Sequence, residues 1–437
     1  MNHNPAISSV QAKIMGAQLG KSRFLRGDKI LVTGGAGFVG SHTVDLLLER
    51  GYQVRILDSL QARVHPKGKP SWVPSDAEFI KGDVTNPLDL ARALAGTDGV
   101  FHLAAYQDYL NDFSNFIHTN TESSARLFEL IVSDPRRFSV KKIVFASSQS
   151  VCGEGRYLCF GTNHIAGLPP EIKSARPTGF AKRHAPDRND TAGSDSSGHG
   201  VIVPGPRPIE QLRRGDWEVR CPQCHSAMEP LLIDEDTVYP HTAYAISKYA
   251  IEMLADRIGR RYGIPTTCMR YTYVQGPRNS FYNAYSGIAR RFAMRIMHGL
   301  PPIVYEDGGQ LRDYVNVRDV ALANVMALES DDTDFDVLNV GGERAITVLE
   351  FARLMLNVLG SKLEATVSGE FRLGDTRHTV SDVSRMRRLG WRPKIQVEQN
   401  VLEYVEWLQT QAVDEEYLLE AERVMRELGV VQAVGAS

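Results

Sequence analysis

The stretch KILVTGGAGFVG, residues 29–40, decides the fold of this 437-residue chain. Lys29–Thr33 is a short apolar strand, and the following residues have helical spacing. Between them, Gly34, Gly37 and Gly40 form a G-x-x-G-x-x-G turn: the first glycine permits the tight turn, the second lets backbone approach a pyrophosphate, and the third lets helix pack on strand. Phosphates are favoured at the helix N-terminus, where backbone N–H groups are free. The turn therefore predicts a dinucleotide site.

Alternating strands and helices extend this unit into a parallel, doubly wound sheet. Strands are predicted at Gln53–Leu57, Gly99–Leu103, Lys142–Ala146 and Thr266–Tyr271, and helices at Ser41–Arg50, Thr121–Val132, Tyr244–Tyr262, Ser286–Met297, Arg318–Leu328 and Val348–Leu359, with a helical pair over Val397–Leu428. The fold class is thus α/β, a Rossmann-type sheet with a smaller mixed α/β substrate domain. We expect an N-terminal extension (1–27), a cofactor domain (28–270) interrupted by a Cys-containing insertion (154–236), and a substrate domain with C-terminal helices (271–437).

Composition indicates an ordinary soluble protein. The net charge is −2, and 43% of residues are hydrophobic. No large basic field suggests a nucleic-acid partner, no apolar run is long enough for a membrane span, and the first 27 residues lack a secretory apolar stretch. A cytoplasmic location is therefore expected, and in a cytoplasmic chain the odd cysteine count, five, argues against a disulfide framework.

Asp58 ends the second predicted strand, 18 positions after Gly40. A carboxylate there accepts hydrogen bonds from both hydroxyls of the adenosine ribose and repels a 2′-phosphate, so NAD is favoured over NADP. Asp83 follows another strand-like stretch, and it is either an adenine contact or an ordinary surface acid.

Tyr244 and Lys248 lie four residues apart on a predicted helix and therefore share a face. A tyrosine with a pKa of about 10 is a poor base at neutral pH, but a nearby ammonium stabilises the phenolate. Ser147 and Ser148 end a strand that borders the cofactor cleft, and a serine hydroxyl there can hold a substrate oxygen.

At these residues the chain resembles the extended short-chain dehydrogenase/reductase family, in its NAD-dependent nucleotide-sugar epimerase and dehydratase branch. The matching segments are TGGAGFVG (33–40), HLAA (102–105), the helix containing Asn120, FASSQSVCG (145–153), YAISK (244–248), RYTYVQGPR (270–278), GGQLRDYVNVRD (308–319), NVGG (339–342) and FRLGDTRH (371–378). They run from Ile30 to about Lys394, apart from the insertion.

The resemblance implies the role of each matching residue. Tyr244 is the base, Lys248 its activator and ribose clamp, and Ser148, three positions before Val151, the hydroxyl partner. The implied cofactor-binding residues are Gly34, Gly37, Phe38, Val39, Asp58, Asp83, Val84, Leu103, Ala104, Ala105, Tyr244, Lys248 and Tyr271. The implied substrate-binding residues are Ser148, Gln149, Asn283, Arg312, Arg372 and Asp375, of which the two arginines bind the diphosphate and Asp375 the nucleotide ribose. A structural role is an alternative for Asn283, Arg312, Arg372 and Asp375. A homodimer through a two-helix face is also implied.

Gln149 and Ser150 bear on the reaction. Similar 4,6-dehydratases carry an Asp-Glu pair there to expel water, and similar decarboxylases keep a Glu, so the missing acid favours epimerisation through a transient 4-keto sugar. A dehydratase, decarboxylase or reductase remains an alternative; a non-catalytic NAD-binding regulator is disfavoured by the Tyr–Lys pair. Tyr273, Cys152 and Gln275 depart from the usual epimerase pattern, which leaves a dTDP-, UDP-, GDP- or CDP-sugar open. GEGRY (153–157), the CPxC insertion and VQGPR (274–278) are similar to bacterial dTDP-L-rhamnose 4-epimerases.

The insertion separates Ser148 from Tyr244 by 96 positions, far more than the family usually has. Cys221 and Cys224 form a C-x-x-C knuckle, and Cys159 with His199 completes a predicted Cys₃His zinc site of structural type. The alternative is that these cysteines are ordinary loop residues. Because both ends of the insertion adjoin catalytic segments, we expect it to shape or cover the sugar pocket.

Overall fold

A seven-stranded parallel sheet forms the centre of the molecule. The computed structural model describes residues 22–108, 111–161, 200–280, 282, 287–411 and 422–435. The strands are β1 (Lys29–Thr33), β2 (Gln53–Asp58), β3 (Glu78–Lys81), β4 (Gly99–His102), β5 (Lys142–Ser148), β6 (Thr266–Tyr271) and β7 (Asp336–Val340). Their spatial order is β7-β6-β5-β4-β1-β2-β3, and every neighbouring pair is parallel. The chain crosses from one half of the sheet to the other between β1 and β4, where open α/β sheets bind ligands.

Five helices cover the two faces of this sheet: α1 (Phe38–Glu49), α2 (Pro87–Leu94), α3 (Ser123–Ser133), α4 (Ala243–Tyr262) and α5 (Val317–Glu329). Successive strand residues point to opposite faces. Ile30 and Val32 of β1 accordingly pack with α1 and α5, whereas Leu31, between them, packs with α2, α3 and α4. The sheet is thus buried on both sides, which explains its continuous apolar strands.

The second part of the molecule has its own core. Helices Ile288–Met297, Val348–Val358 and Val397–Gln409 pack around Phe292 and Phe351. Short strand pairs surround them: Tyr273–Gln275 with Tyr314–Asn316, Ile303–Val304 with Thr366–Val367, Leu311–Arg312 with both Ile346–Thr347 and His378–Thr379, and Phe371–Arg372 with Val431–Gln432. Short helical segments lie at Phe113–Phe116, Ile117–Glu122, Gln149–Cys152, Asp331–Thr333 and Ser384–Arg388.

The insertion contains a small antiparallel sheet. Arg156–Cys159 is its central strand, between Gly200–Ile202 and Glu229–Leu231, and helix Ile209–Arg213 follows the second strand. The sequence pattern gives no sign of these strands, because each has only three or four residues.

The predicted Rossmann-type class is confirmed, and the bounds of β1 and β6 agree with prediction. The boundary at residue 270 is corrected, because β7 belongs to the main sheet and pairs with β6 from Asp336↔Thr267 to Val340↔Tyr271. The helix predicted at Thr121–Val132 begins earlier as a π-helical segment, Ile117–Glu122, before α3. Of the predicted C-terminal helical pair, residues 412–421 lie outside the described residues.

No helix in the described ranges is both long enough and apolar enough to cross a bilayer.

Gly34 gives a direct test of the turn that organises the sheet. Gly34 has φ 69°, and a Cβ on it would lie 2.9 Å from the Ala104 backbone; Gly96 has φ 70° with nothing within 4 Å. We expect Gly96→Ala to lower the free energy of unfolding by only about 1–2 kcal/mol, because its one cost is the strain of an alanine in a left-handed conformation. Gly34→Ala should lose more stability and also abolish NAD binding, because the cavity wall must move. Denaturant unfolding and calorimetric titration with NAD check this; equal behaviour of the two variants would contradict it.

Candidate active site

A cavity of about 470 Å³ opens at the carboxyl ends of β1, β2 and β4. Ten predicted cofactor residues line it: Gly34, Gly37, Phe38, Val39, Asp58, Asp83, Val84, Leu103, Ala104 and Ala105. Gly37 is the N-cap of α1 and provides no side-chain cap, so the first N–H groups of the helix are available to an anion. A Cβ on Gly40 would lie 2.2 Å from the Gly34 carbonyl oxygen, which explains the third glycine. The cradle therefore fits a dinucleotide.

Asp58 is held by the backbone at the end of β2. Its Oδ2 accepts a hydrogen bond from Ala36 N–H at 3.0 Å, and its Oδ1 accepts one from Leu60 N–H at 2.9 Å. A carboxylate has about four acceptor positions, so two remain for ribose hydroxyls. Asp83 Oδ1 accepts hydrogen bonds from the N–H and the hydroxyl of Thr85, which orients this second carboxylate at the cavity wall.

Several cavity residues were not predicted from the sequence. Trp72 donates a hydrogen bond from its indole N–H to the Ala36 carbonyl at 3.0 Å and so braces the glycine turn. The wall also contains Arg63, His65, Lys67, Lys69, Arg278, Ser280 and Trp407. The basic residues between 63 and 69 were a usable signal, because positive side chains near a predicted phosphate site attract its charge.

Tyr244 and Lys248 lie in the first turns of α4, which Thr242 caps by accepting a hydrogen bond from Ala245 N–H at 3.1 Å. Lys248 is 2% exposed, and its Nζ donates to the Ala146 carbonyl at 2.9 Å. Burial lowers the pKa of Lys248 to about 8. Its Nζ is 5.8 Å from the ring centroid of Tyr244, which is half-buried, so the ammonium lies beside the phenol ring.

The two serines at the end of β5 have different environments. The Ser147 hydroxyl is buried and donates to Glu252 Oε1 at 2.5 Å; Glu252 in turn pairs with Arg270 at 2.7 Å. Ser148 Oγ accepts hydrogen bonds from the N–H and hydroxyl of Ser150, at 3.2 and 3.0 Å. Because Ser147 belongs to a buried ion-pair network, the geometry favours Ser148 as the candidate catalytic hydroxyl.

The predicted substrate residues are held by hydrogen bonds to neighbouring groups of the protein. Arg312 donates to the carbonyls of Leu311, Thr376 and Arg377 at 2.7–2.9 Å. Arg372 Nε donates to Asp375 Oδ1 at 2.9 Å, which places these two predicted residues together. Gln149 Nε2 donates to Ser381 at 2.8 Å. Tyr271, predicted to bind the cofactor, is not among the residues that line the cavity, and its hydroxyl donates to Asn324 at 2.7 Å. Asn283 lies outside the described residues. Roles in binding stay predictions for all of them.

A buried ion-pair network joins the insertion to the loop that carries Asp375. Arg207 has a 1% exposed side chain and pairs with Glu154 at 3.2 Å and Glu306 at 2.9 Å. One of its N–H groups donates to the Asp375 carbonyl at 2.9 Å. Glu306 also pairs with Arg377 at 3.0 Å. The insertion therefore fixes the predicted nucleotide loop, a role that no spacing in the sequence indicated.

The insertion also brings three cysteines together. The sulfur atoms of Cys159, Cys221 and Cys224 all lie within 4.8 Å of one another. The Ser226 hydroxyl and backbone N–H lower the pKa of Cys224 to about 7 by hydrogen bonding to its sulfur. The predicted fourth ligand, His199, lies outside the described residues.

Comparison with known proteins identifies the family. The model of the "NAD dependent epimerase/dehydratase family" matches residues 30–185 and 223–341, which is more than half of the chain. The chain belongs to this family. The residues between the two matched ranges, 186–222, fall inside the insertion.

Individual relatives agree with this assignment. A dTDP-L-rhamnose 4-epimerase of Burkholderia thailandensis is 28% identical over 389 residues, covering 87% of this chain and 95% of the relative. A UDP-glucose 4-epimerase of Thermotoga maritima, solved with UDP-glucose, is 27% identical with a TM-score of 0.64 and covers 87% of this chain and 99% of its own. A UDP-glucose 4-epimerase of Thermus thermophilus, solved with NAD, is 26% identical with a TM-score of 0.61. The match covers 88% of this chain and 100% of that one. Family and cavity thus agree on NAD as the cofactor.

Arg207 gives a test of the link between the insertion and the nucleotide loop. We expect Arg207→Ala to lower the free energy of unfolding by about 3–5 kcal/mol, because Glu154 and Glu306 stay buried without their partner. The control is Arg220→Ala, which removes an ion pair with Asp216 on the same insertion, at an arginine side chain that is 40% exposed. That loss should be below about 1 kcal/mol. Denaturant unfolding of both variants measures the difference, and similar losses would refute the proposed anchoring.

Proposed function

We propose that this protein is an NAD-dependent 4-epimerase of a nucleotide diphosphate sugar. The observation that carries the proposal is the placement of Lys248 beside Tyr244, with the strand end at Ser148 and the NAD cavity on the same edge of the sheet. Gln149 and Ser150 provide no carboxylic acid for expulsion of water, and the Gln149 amide is directed to Ser381. Epimerisation requires only proton and hydride transfer at C4, so no additional acid is needed.

The Gly34–Gly40 turn and Asp58 would hold NAD, which would supply the hydride acceptor for C4 and the hydride donor for the opposite face of the 4-keto sugar. Tyr244 removes the proton of the C4 hydroxyl and returns it after the sugar has turned over. Lys248 stabilises the phenolate of Tyr244, which is why its ammonium must be close and shielded from water. The hydroxyl of Ser148 donates a hydrogen bond to the developing C4 oxygen and holds it during proton transfer.

The diphosphate is assigned to Arg312 and Arg372, since a guanidinium binds phosphate oxygens in a bidentate manner. In the structure Arg312 stacks on the Tyr273 ring with its Cζ 4.9 Å from the centroid, and Arg372 is paired with Asp375. Nucleotide binding would exchange part of these contacts for phosphate and ribose. Tyr273, which stands where the family usually has Asn, therefore acts on the substrate through the position of Arg312.

The test is incubation of the purified chain with a panel of dTDP-, UDP-, GDP- and CDP-sugars, followed by NMR of the products. We expect inversion at C4 of at least one sugar without net formation of NADH. Accumulated keto-sugar, loss of water or release of CO₂ would instead assign a dehydratase, reductase or decarboxylase.

Tyr244→Phe tests the assignment of the base in the same assay. The variant should lower kcat by about 10²–10⁴-fold, because the general base is lost, while NAD affinity changes little. Tyr262→Phe, at the 50% exposed last residue of the same helix, is the control and should keep full activity. Retained activity in Tyr244→Phe would place the base elsewhere.

We also propose a homodimer, as the resemblance implies, through the outer face of α4 and its neighbouring helical segment. Ile246 and Met253 are 49% and 47% exposed on α4, and Phe113 and Ile117 are 60% and 44% exposed on the adjacent segment. These four side chains form an apolar surface suited to a second copy.

Ile246→Glu should convert the dimer to a monomer, because it places a charge on that apolar surface. Leu402→Glu is the matched control, a 38% exposed leucine on a different helix. Light scattering coupled to gel filtration measures the mass of each variant. A wild-type monomer, or a dimeric Ile246→Glu, would contradict this interface.

We also propose that the protein works in a reducing compartment, the cytoplasm, because an odd number of cysteines, five, is atypical of a disulfide framework.

A further inference from the structure

The three-cysteine cluster of the insertion is unrelated to the catalytic machinery, and its geometry is specific. Cys221 and Cys224 lie on a tight turn in which His225 N–H donates to the Cys221 carbonyl at 2.9 Å and Cys221 N–H donates to the Ser226 carbonyl at 2.9 Å. His225 has φ 60°, and the turn is closed by a bridge between Arg220 and Ala227. This turn directs both sulfur atoms toward Cys159, at the end of the central strand of the insertion.

The sulfur separations match those of a metal site. The Sγ atoms of Cys159 and Cys224 are 3.5 Å apart. A tetrahedral zinc with Zn–S bonds of about 2.3 Å holds its sulfurs about 3.8 Å apart, whereas a disulfide requires about 2.05 Å. The backbone N–H of Gly161 is directed at Cys159 Sγ at 3.4 Å, a hydrogen bond that stabilises a thiolate. The cluster therefore has the spacing and the donors of a thiolate metal site.

The small size of the surrounding core gives a physical reason for such a site. Among the described residues of the insertion, the buried cluster around the sulfurs consists of Tyr157, Val219 and Met228 together with Cys159 and Cys221. Small domains with little core are commonly stabilised by a metal, and three apolar side chains make a small core around these sulfurs. Two of the five buried members are themselves candidate ligands, so the core is built around the sulfurs.

We propose that Cys159, Cys221 and Cys224 bind one structural Zn²⁺, with a single non-sulfur fourth ligand. The other two cysteines, Cys152 and Cys268, lie outside the cluster, which excludes a fourth thiolate. Thiolates select Zn²⁺ over hard cations, and a site with four protein ligands leaves no position for substrate. The zinc therefore orders the insertion and takes no part in the reaction.

The same geometry connects the metal to the nucleotide loop. Arg207 and Glu218 lie within the insertion, on either side of helix Ile209–Arg213, and bind the Asp375 carbonyl and Arg377 respectively. Trp217 packs its ring 6.1 Å from that of Phe371, the residue before Arg372. Loss of the metal would loosen the part of the insertion that carries Arg207, Trp217 and Glu218. The substrate domain would then lose their contacts, although the metal site does not touch the NAD cavity.

The test is zinc analysis of the purified full-length protein, without a histidine tag, by inductively coupled plasma mass spectrometry. We expect about one zinc per chain, as for a single structural site. Cys221→Ser should lose the metal, and Cys268→Ser, which alters a buried thiol outside the cluster, should keep it. Wild-type protein without zinc, or Cys221→Ser with full zinc, would overturn the proposal.

A second measurement covers the case in which Cys221→Ser fails to fold. Wild-type protein is exchanged with Co²⁺, and the absorption spectrum is recorded. Thiolate-to-cobalt charge-transfer bands together with the d–d bands of a tetrahedral centre are expected. A spectrum of octahedral cobalt without charge transfer, or a Cys159–Cys224 disulfide found by mass spectrometry of the native protein, would show that the cysteines do not form a metal site.

Discussion

The structure depends on the close passage of two backbone segments, the Gly34 turn after β1 and the residues after β4. A Cβ on Gly34 would lie 2.9 Å from the Ala104 backbone, so only glycine allows the two strand ends to meet. This approach closes one side of the NAD cavity and positions the N-terminus of α1 on the other. Thr33 strengthens the contact, since its hydroxyl oxygen accepts hydrogen bonds from the N–H groups of Leu103 and Ala104 at 3.1 and 3.2 Å.

The sequence predicts this part of the molecule well because its signals are local. The glycines, Asp58 and the Tyr244–Lys248 pair each lie within one strand, turn or helix, and short-range spacing determines what they can contact. The parallel order of strands follows from the alternation of strands and helices. The strand pattern alone does not distinguish Ser147 from Ser148, and the family resemblance favours Ser148. The structure adds a physical reason, because the Ser147 hydroxyl is already hydrogen-bonded to Glu252.

What the sequence does not predict are contacts between distant segments. β7 joins the main sheet from beyond the predicted boundary because its register with β6 is set by tertiary packing. Trp72 reaches the glycine turn across 36 residues. Arg207 meets Glu306 across 99 residues, and no periodicity in either segment indicates that these charges are buried. Burial raises the pKa of Glu306, although the guanidiniums of Arg207 and Arg377 act in the opposite direction. The carboxylate of Glu306 therefore stays charged in this network only if both arginines remain in place.

Burial of charge also makes stability depend on pH at Lys248. Because the pKa of this lysine falls to about 8 in the folded chain, from an ordinary value near 10.4, the fold disfavours its protonated form. Between these two pH values the unfolded chain binds more protons than the folded one, so this group makes stability rise with pH over that window, and its penalty is fully present below it. The folded protein thus accepts a local cost to hold an ammonium away from water beside Tyr244. A surface lysine would avoid that cost, but solvent would screen its charge from the phenolate that we propose it stabilises.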